Sequence, residues 1–170
     1  MKKILFLLVA LLPMMCCAQD YYFKCQGKSF TMLTEDGKDF VVIDKPNKTA
    51  KELYIQTLSG VSSVFNSPKD VVSKIDDQEI AIFGMVDVGK GGFGQAMTAH
   101  VRFTFQFKDN KVRVSAPEVQ KIYMTGNGSI DCSKQFKNNG GFNPEKKLYT
   151  TFHQSLQGVI DLCLKEQEDW

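Results

Sequence analysis

The stretch VRFTFQFKDNKVRVSA, Val101 to Ala116, decides the fold. Val101, Phe103, Phe105 and Phe107 alternate with Arg102, Thr104, Gln106 and Lys108, the pattern of a strand with one apolar and one wetted face. Asp109 and Asn110 tolerate positive φ and predict a two-residue turn into a second strand, Lys111 to Ala116. That closure sets the register: Phe107 faces Val112, Phe105 faces Val114 and Phe103 faces Ala116, so each apolar pair falls on the same side. Only Lys108 opposite Lys111 is unfavourable, and it sits at a solvated hairpin end.

Further strands and two helices flank this hairpin. Asp39 to Asp44 is a β-branched run ending before Pro46, and Thr49 with Glu52 then forms a capping-box pattern that opens a helix. Tyr54, Leu58, Val61 and Phe65 recur at intervals of four, three and four, marking its buried stripe, and Asn66-Ser67-Pro68 stops it. Asp70 to Ile75 predicts a strand that meets Ile80 to Val88 across the polar turn Asp76-Asp77-Gln78-Glu79. On the second of these, Ile80, Ile82, Val86 and Val88 share one face, with Phe83 and Met85 on the other. After a Gly/Asn-rich connection from Thr125 to Asn143, Pro144 opens a last helix whose stripe is Leu148, Phe152, Leu156, Val159 and Cys163. Two amphipathic helices and one sheet with an apolar face make a two-layer α+β sandwich. Those helical stripes need a surface to bury against, so the Phe103, Phe105, Phe107 row reads as core, although it is similar to the stacking platforms of nucleic-acid binders.

The segments DFVVIDKP, AKELYIQTLSGVSSVF, DVVSKIDDQEIAIFG and VRFTFQFKDNKVRVSAPEV together resemble an uncharacterised family of secreted bacterial proteins, a domain of unknown function with a TATA-box-binding-protein-like fold. The resemblance covers about residues 38 to 120. It implies a curved antiparallel sheet with its helices on one side, and it carries no catalytic residue onto this chain. Gly89 to Met97 and the stretch after Tyr123 follow the pattern less well.

Residues 1–18 read as a secretory signal peptide: Lys2-Lys3, an apolar run from Ile4 to Met15, then Cys16-Cys17-Ala18. The run is too short to span a membrane, which takes about 20 residues. Small Cys16 and Ala18 predict cleavage between Ala18 and Gln19, leaving residues 19–170 as a single domain. Lipidation at Cys16 or Cys17 is the rival reading and the only route to membrane association. Met14 and Met15 stand where a lipidation signal has other residues. Loss of Lys2 and Lys3 reduces 21 basic side chains to 19, against 19 acidic ones. A neutral, exported domain argues against a nucleic-acid partner, whose phosphates select a basic surface.

Cys25, Cys132 and Cys163 survive cleavage in a compartment that permits disulfides, and an odd count allows at most one internal bridge. Cys163 falls on a helix stripe, so the expected pair is Cys25 with Cys132, with three free thiols as the alternative. Gly89, Gly91 and Gly94 spell GxGxxG, and Gly84 to Lys90 spells GxxxxGK, but no helix opens at these glycines and Gly91 stands where a phosphate loop needs Ser or Thr. They read as a hairpin loop. The turn acids Asp76, Asp77 and Glu79 are too few for calcium, and His100 and His153 lack the spacing of a zinc site or a neighbouring nucleophile.

No catalytic, cofactor or metal set is therefore expected. The sequence points to a periplasmic or secreted, non-enzymatic binding or assembly module whose partner is an envelope protein or a small ligand. Its contact surface is the sheet face away from the helices, or the loops Gly89 to Met97 and Thr125 to Asn143. The alternative is an envelope enzyme whose residues assemble only in three dimensions.

Overall fold

The two-residue turn Asp109-Asn110 forms, with Asn110 at a φ of 64° and Asp109 not in the left-handed region. In the computed structural model, which describes residues 21–26, 30–65, 71–75, 78–90, 94–125, 129–131 and 146–166, this turn also organises its surroundings. Asp109 Oδ1 accepts from the Ala50 N–H at 2.8 Å and Asn110 Oδ1 from the Asn47 N–H at 2.8 Å. The hairpin tip thus satisfies one of the orphan donors at the start of the first helix.

Nine strands and two helices are described. A two-stranded ribbon, β1 (Lys24–Cys25) and β2 (Met32–Leu33), precedes β3 (Phe40–Asp44) and α1 (Ala50–Val64). The sheet continues with β4 (Val72–Ile75), β5 (Glu79–Lys90), β6 (Ala96–Lys108), β7 (Lys111–Ser115), β8 (Glu118–Thr125) and β9 (Ser129–Asp131), and α2 spans Lys146–Cys163. The main sheet is open and antiparallel, in the order β3-β7-β6-β5-β4. The long strand β6 pairs with β7 along its second half and with β8 along its first, and β9 extends from β8.

Phe107↔Val112, Phe105↔Val114 and Lys108↔Lys111 are paired as the turn length requires. Phe103↔Ala116 is not. Pro117 has no N–H to give the ladder, and beyond Val114 the second strand leaves β6; Thr104 N–H donates instead to Ser115 Oγ at 2.8 Å, and Ala116 N–H to Asp39 O. β8 then takes over opposite Val101. A bulge there leaves Gln120 as an extra residue, so Val119 and Ile122 lie opposite Val101 and Ala99, on the core side at a spacing of three.

Both helices cover one face. The row Phe103, Phe105 and Phe107 is buried, with Tyr54 of α1 edge-on to Phe107 at 5.7 Å. The aromatic row is core and is not a stacking platform. Thr49 and Glu52 form the capping box the sequence predicts. The buried face of α1 is Leu53, Tyr54, Thr57, Gly60 and Val61, while Leu58 and Phe65 are half-buried. On α2, Ile160 is buried and Val159 only partly so, and Leu164, just past its end, is buried too. A Cβ at Gly60 would stand 2.4 Å from the Cys163 carbonyl oxygen, which marks where the two helices meet backbone to backbone.

Candidate functional site

Two regions gather the side chains that could meet a partner. The first is the face of the sheet that neither described helix covers, the helix-free face. Pairing places Phe83 beside Arg102 and Met85 beside His100 on β5 and β6, and sets Tyr123 and Lys121 of β8 next to Thr98 and His100. Phe83 is 45% exposed and Met85 65%, as their alternation with buried Ile82, Gly84 and Val86 requires. Arg102 lies over the Phe83 ring at 5.1 Å and Arg113 over Phe40 at 4.0 Å, both favourable cation–π distances. The rings of His100 and Tyr123 are 5.0 Å apart. This face is a strip of exposed apolar and aromatic groups bordered by guanidinium groups.

The second region is where the N-terminal ribbon packs on α2. Tyr149, His153, Gln157 and Asp161 follow one another at intervals of four, so they form a stripe beside the helix's apolar one. The Tyr22 N–H donates to Gln157 Oε1 at 2.9 Å and the Cys25 N–H to His153 Nε2 at 2.8 Å. Phe23, Phe30 and Met32 carry the ribbon's share of the core, Phe30 standing edge-on to Phe152 at 5.3 Å. The Tyr149 hydroxyl is buried without a hydrogen-bond partner, and burial followed by the nearby Cys25 thiol raises its pKa.

Cys25 and His153 are brought together, but not as a nucleophile and its base. The imidazole accepts from the Cys25 main chain, and the thiol lies 3.3 Å from Met32 Sδ. Burial pushes the Cys25 thiol up to about 12, and that of Cys163 likewise to about 12, so neither supplies thiolate at neutral pH. Cys25 is a free thiol, so the expected bridge from Cys25 to Cys132 is not formed here; Cys25 is held instead by its hydrogen bond to α2. Cys132 lies outside the described residues, as do residues 1–18 with Cys16 and Cys17, the Ala18/Gln19 junction expected as a cleavage point, Gly91, the turn acids Asp76 and Asp77, and Asn143 and Pro144.

His100 and His153 are far apart in role: one lies on the helix-free face, the other under the N-terminal ribbon. Of the motif glycines, Gly84 and Gly89 lie on β5 and Gly94 just before β6. Gly89, at φ 108°, follows the bulge residue Val88 and donates its N–H to Asp87 Oδ1 at 2.8 Å. The strands run to Lys90 and resume at Ala96, so the connection is shorter than the loop Gly89 to Met97 expected from sequence.

His153 makes ribbon docking sensitive to pH. Burial, then Lys24, holds its pKa below the ordinary value of 6.5, and its acceptor role requires a neutral Nε2. A depressed histidine stabilises the fold above the unfolded-state pKa, and that contribution is lost as pH falls through 6.5 toward the folded value. Thermal stability is therefore expected to drop on acidification below pH 6.5, with early exchange of the Cys25 amide. His153→Gln, which can still accept but does not titrate, should flatten the profile; an unchanged profile in that variant would locate the pH dependence elsewhere.

No family profile and no curated protein matches this sequence. Solved structures that match this chain include two from bacteria. A TBP-like protein from Parabacteroides distasonis ATCC 8503 superposes with a TM-score of 0.51 at 11% identity, over 75% of this chain and 92% of that one. A DUF4468 family protein from Bacteroides ovatus ATCC 8483 gives 0.45 at 9% identity, over 77% and 87%. The fold is thus TBP-like, as the resemblance in the hairpin and first helix implied, and identity this low extends to the fold alone.

Proposed function

We propose that this chain is an exported, non-enzymatic binding or assembly module of the bacterial envelope, and that it meets its partner through the helix-free face of the sheet. The observation that carries the reading is the pairing of two exposed large apolar side chains, Phe83 and Met85, with Arg102, His100 and Tyr123 around them. Interface centres are enriched in aromatic residues, Met and Arg. Among the described residues, core packing leaves these side chains unused, since both described helices bury the opposite face. Export rests on the leader, which also supports a periplasmic or secreted location.

The test is photo-cross-linking in the envelope fraction, with benzoylphenylalanine replacing Met85 and, as a control, Ile55 on the exposed side of α1. A discrete adduct from position 85, absent from position 55 and lost with Arg102→Glu, is the expected result. Equal labelling from both positions, or none from position 85, would refute the face. Intact mass of the same material should show a chain that begins at Gln19; retention of the leader or a lipid adduct would refute a freely exported domain.

A further inference from the structure

Among the described residues β3 is an outermost strand, hydrogen-bonded to β7 alone. The phase of that ladder is fixed at both ends: Ala116 N–H donates to Asp39 O at 2.7 Å, and Lys45 N–H to Asn110 O at 2.8 Å. Positions 39, 41, 43 and 45 therefore turn their main-chain groups toward β7. Phe40, Val42 and Asp44 turn theirs the other way, along the open edge.

A groove of about 660 Å³ runs beside this edge, lined by Phe40 and Val42, by Tyr21 and Tyr22 of the N-terminal segment, and by Glu35 and Asp36. Proteins commonly guard such an edge with lysine or proline. Of the lysines at its two ends, Lys38 lines the groove but is paired with Asp36, and Lys45 is drawn away from it. Lys38 Nζ is 2.5 Å from Asp36, and Lys45 Nζ donates to Leu164 O at 3.1 Å. Val42, 47% exposed, is the edge's central side chain. Glu35 is 80% exposed and its 3.3 Å contact with Lys24 is a surface pair of small worth, which a cation at the groove's rim can displace.

We propose that β3 accepts an extended segment of a partner protein as an added strand, the ladder being made by the main chain of Phe40, Val42 and Asp44. Only another strand matches donors and acceptors that alternate with a period of two. The segment is apolar at alternate positions, where it meets Val42 and the tyrosines, and carries Lys or Arg at the end that reaches Glu35. This edge adjoins the Phe83–Met85 face through Phe40 and Arg113, but its ladder is made by main-chain groups of β3 and the other contact by side chains of β5 and β6, so either reading can fail without the other.

The probe is a synthetic peptide, acetyl-Lys-Thr-Val-Thr-Val-Thr-Lys-amide, with an otherwise identical peptide N-methylated at alternate residues. In the free full-length chain the amides of Phe40, Val42 and Asp44 should exchange fast and those of Val41 and Ile43 slowly. The peptide should slow the first set by about tenfold or more and leave the second unchanged. Val42→Pro removes an edge-facing N–H while sparing the β3–β7 ladder, so it should weaken binding by about tenfold and move Tm by no more than about 3 °C. Glu35→Lys should weaken binding of this probe but not of one with neutral ends. Equal binding of the N-methylated peptide would overturn the proposal, as would no protection at millimolar peptide. Protection of the Phe40 and Val42 amides in the free chain would also overturn it, by showing a second copy or the chain's own residues at the edge, the first alone being lost on dilution.

Discussion

Gly60→Ala is expected to destabilise the domain by about 3 kcal/mol, toward the upper end of what overpacking a buried contact costs. In an exposed helix the same change helps, because alanine is preferred to glycine by about 1 kcal/mol. Here the added carbon would sit 2.4 Å from the Cys163 carbonyl oxygen, 2.8 Å from its carbonyl carbon and 2.9 Å from its Cα. All three are backbone atoms of α2, so no side chain can swing aside and one helix must move. That movement would disturb the Leu164 carbonyl, which accepts from Lys45 Nζ and Gln56 Nε2 at 3.1 Å each. Gly158, in the middle of α2, is the internal control. A Cβ there meets nothing within 4 Å, so Gly158→Ala should raise stability by up to about 1 kcal/mol. Urea titration of both variants reads the contrast as midpoints moving in opposite directions at constant m. If both rose together, the close approach of α1 to α2 would be refuted.

The contact at Gly60 also shows which parts of the fold can be read from residues. Alternation of side chains through β5 and β6, the Asp109-Asn110 turn and the capping box at Thr49 are local properties, and the structure follows them. A stripe drawn through apolar residues has no place for glycine. The stripe Tyr54, Leu58, Val61, Phe65 therefore missed the side of α1 that α2 approaches, where Thr57 and Gly60 are buried because they are small. β8 was hidden differently: the bulge at Gln120 sets Val119 and Ile122 three apart, which breaks the period of two. The candidate site was legible in part. Phe83 and Met85 were placed on the face away from the core, but their grouping with Arg102, His100 and Tyr123 depends on strand order, which a single sequence does not specify. Likewise the stripe Tyr149, His153, Gln157, Asp161 holds the ribbon through acceptors for main-chain N–H groups, a signal carried by spacing of four in residues of mixed character.

Phe105→Ala should be the most damaging single truncation in the sheet, with an expected loss of about 3–5 kcal/mol from the removed apolar contacts and the cavity left behind. Phe105 is fully buried, paired with Ile80 on one side and Val114 on the other, and meets the Phe103 ring edge-on at 5.5 Å. Ile80 and Val114 are fully buried too, so neither neighbour has solvent-facing freedom to collapse into the void. A small domain is stable by about 5–15 kcal/mol in total, so this one change removes a large share. Phe83→Ala supplies the comparison on the same sheet. It deletes an equal side chain from the opposite face, where the ring is 45% exposed and its partner is the Arg102 guanidinium, and should cost about 1 kcal/mol. Denaturation midpoints of the two variants therefore test the two faces at once. A large loss at Phe105 with a small one at Phe83 is expected from a core under the helices and a free face above them. Comparable losses would mean that the Phe83 side is covered in the folded protein, which would remove the surface on which the binding reading stands.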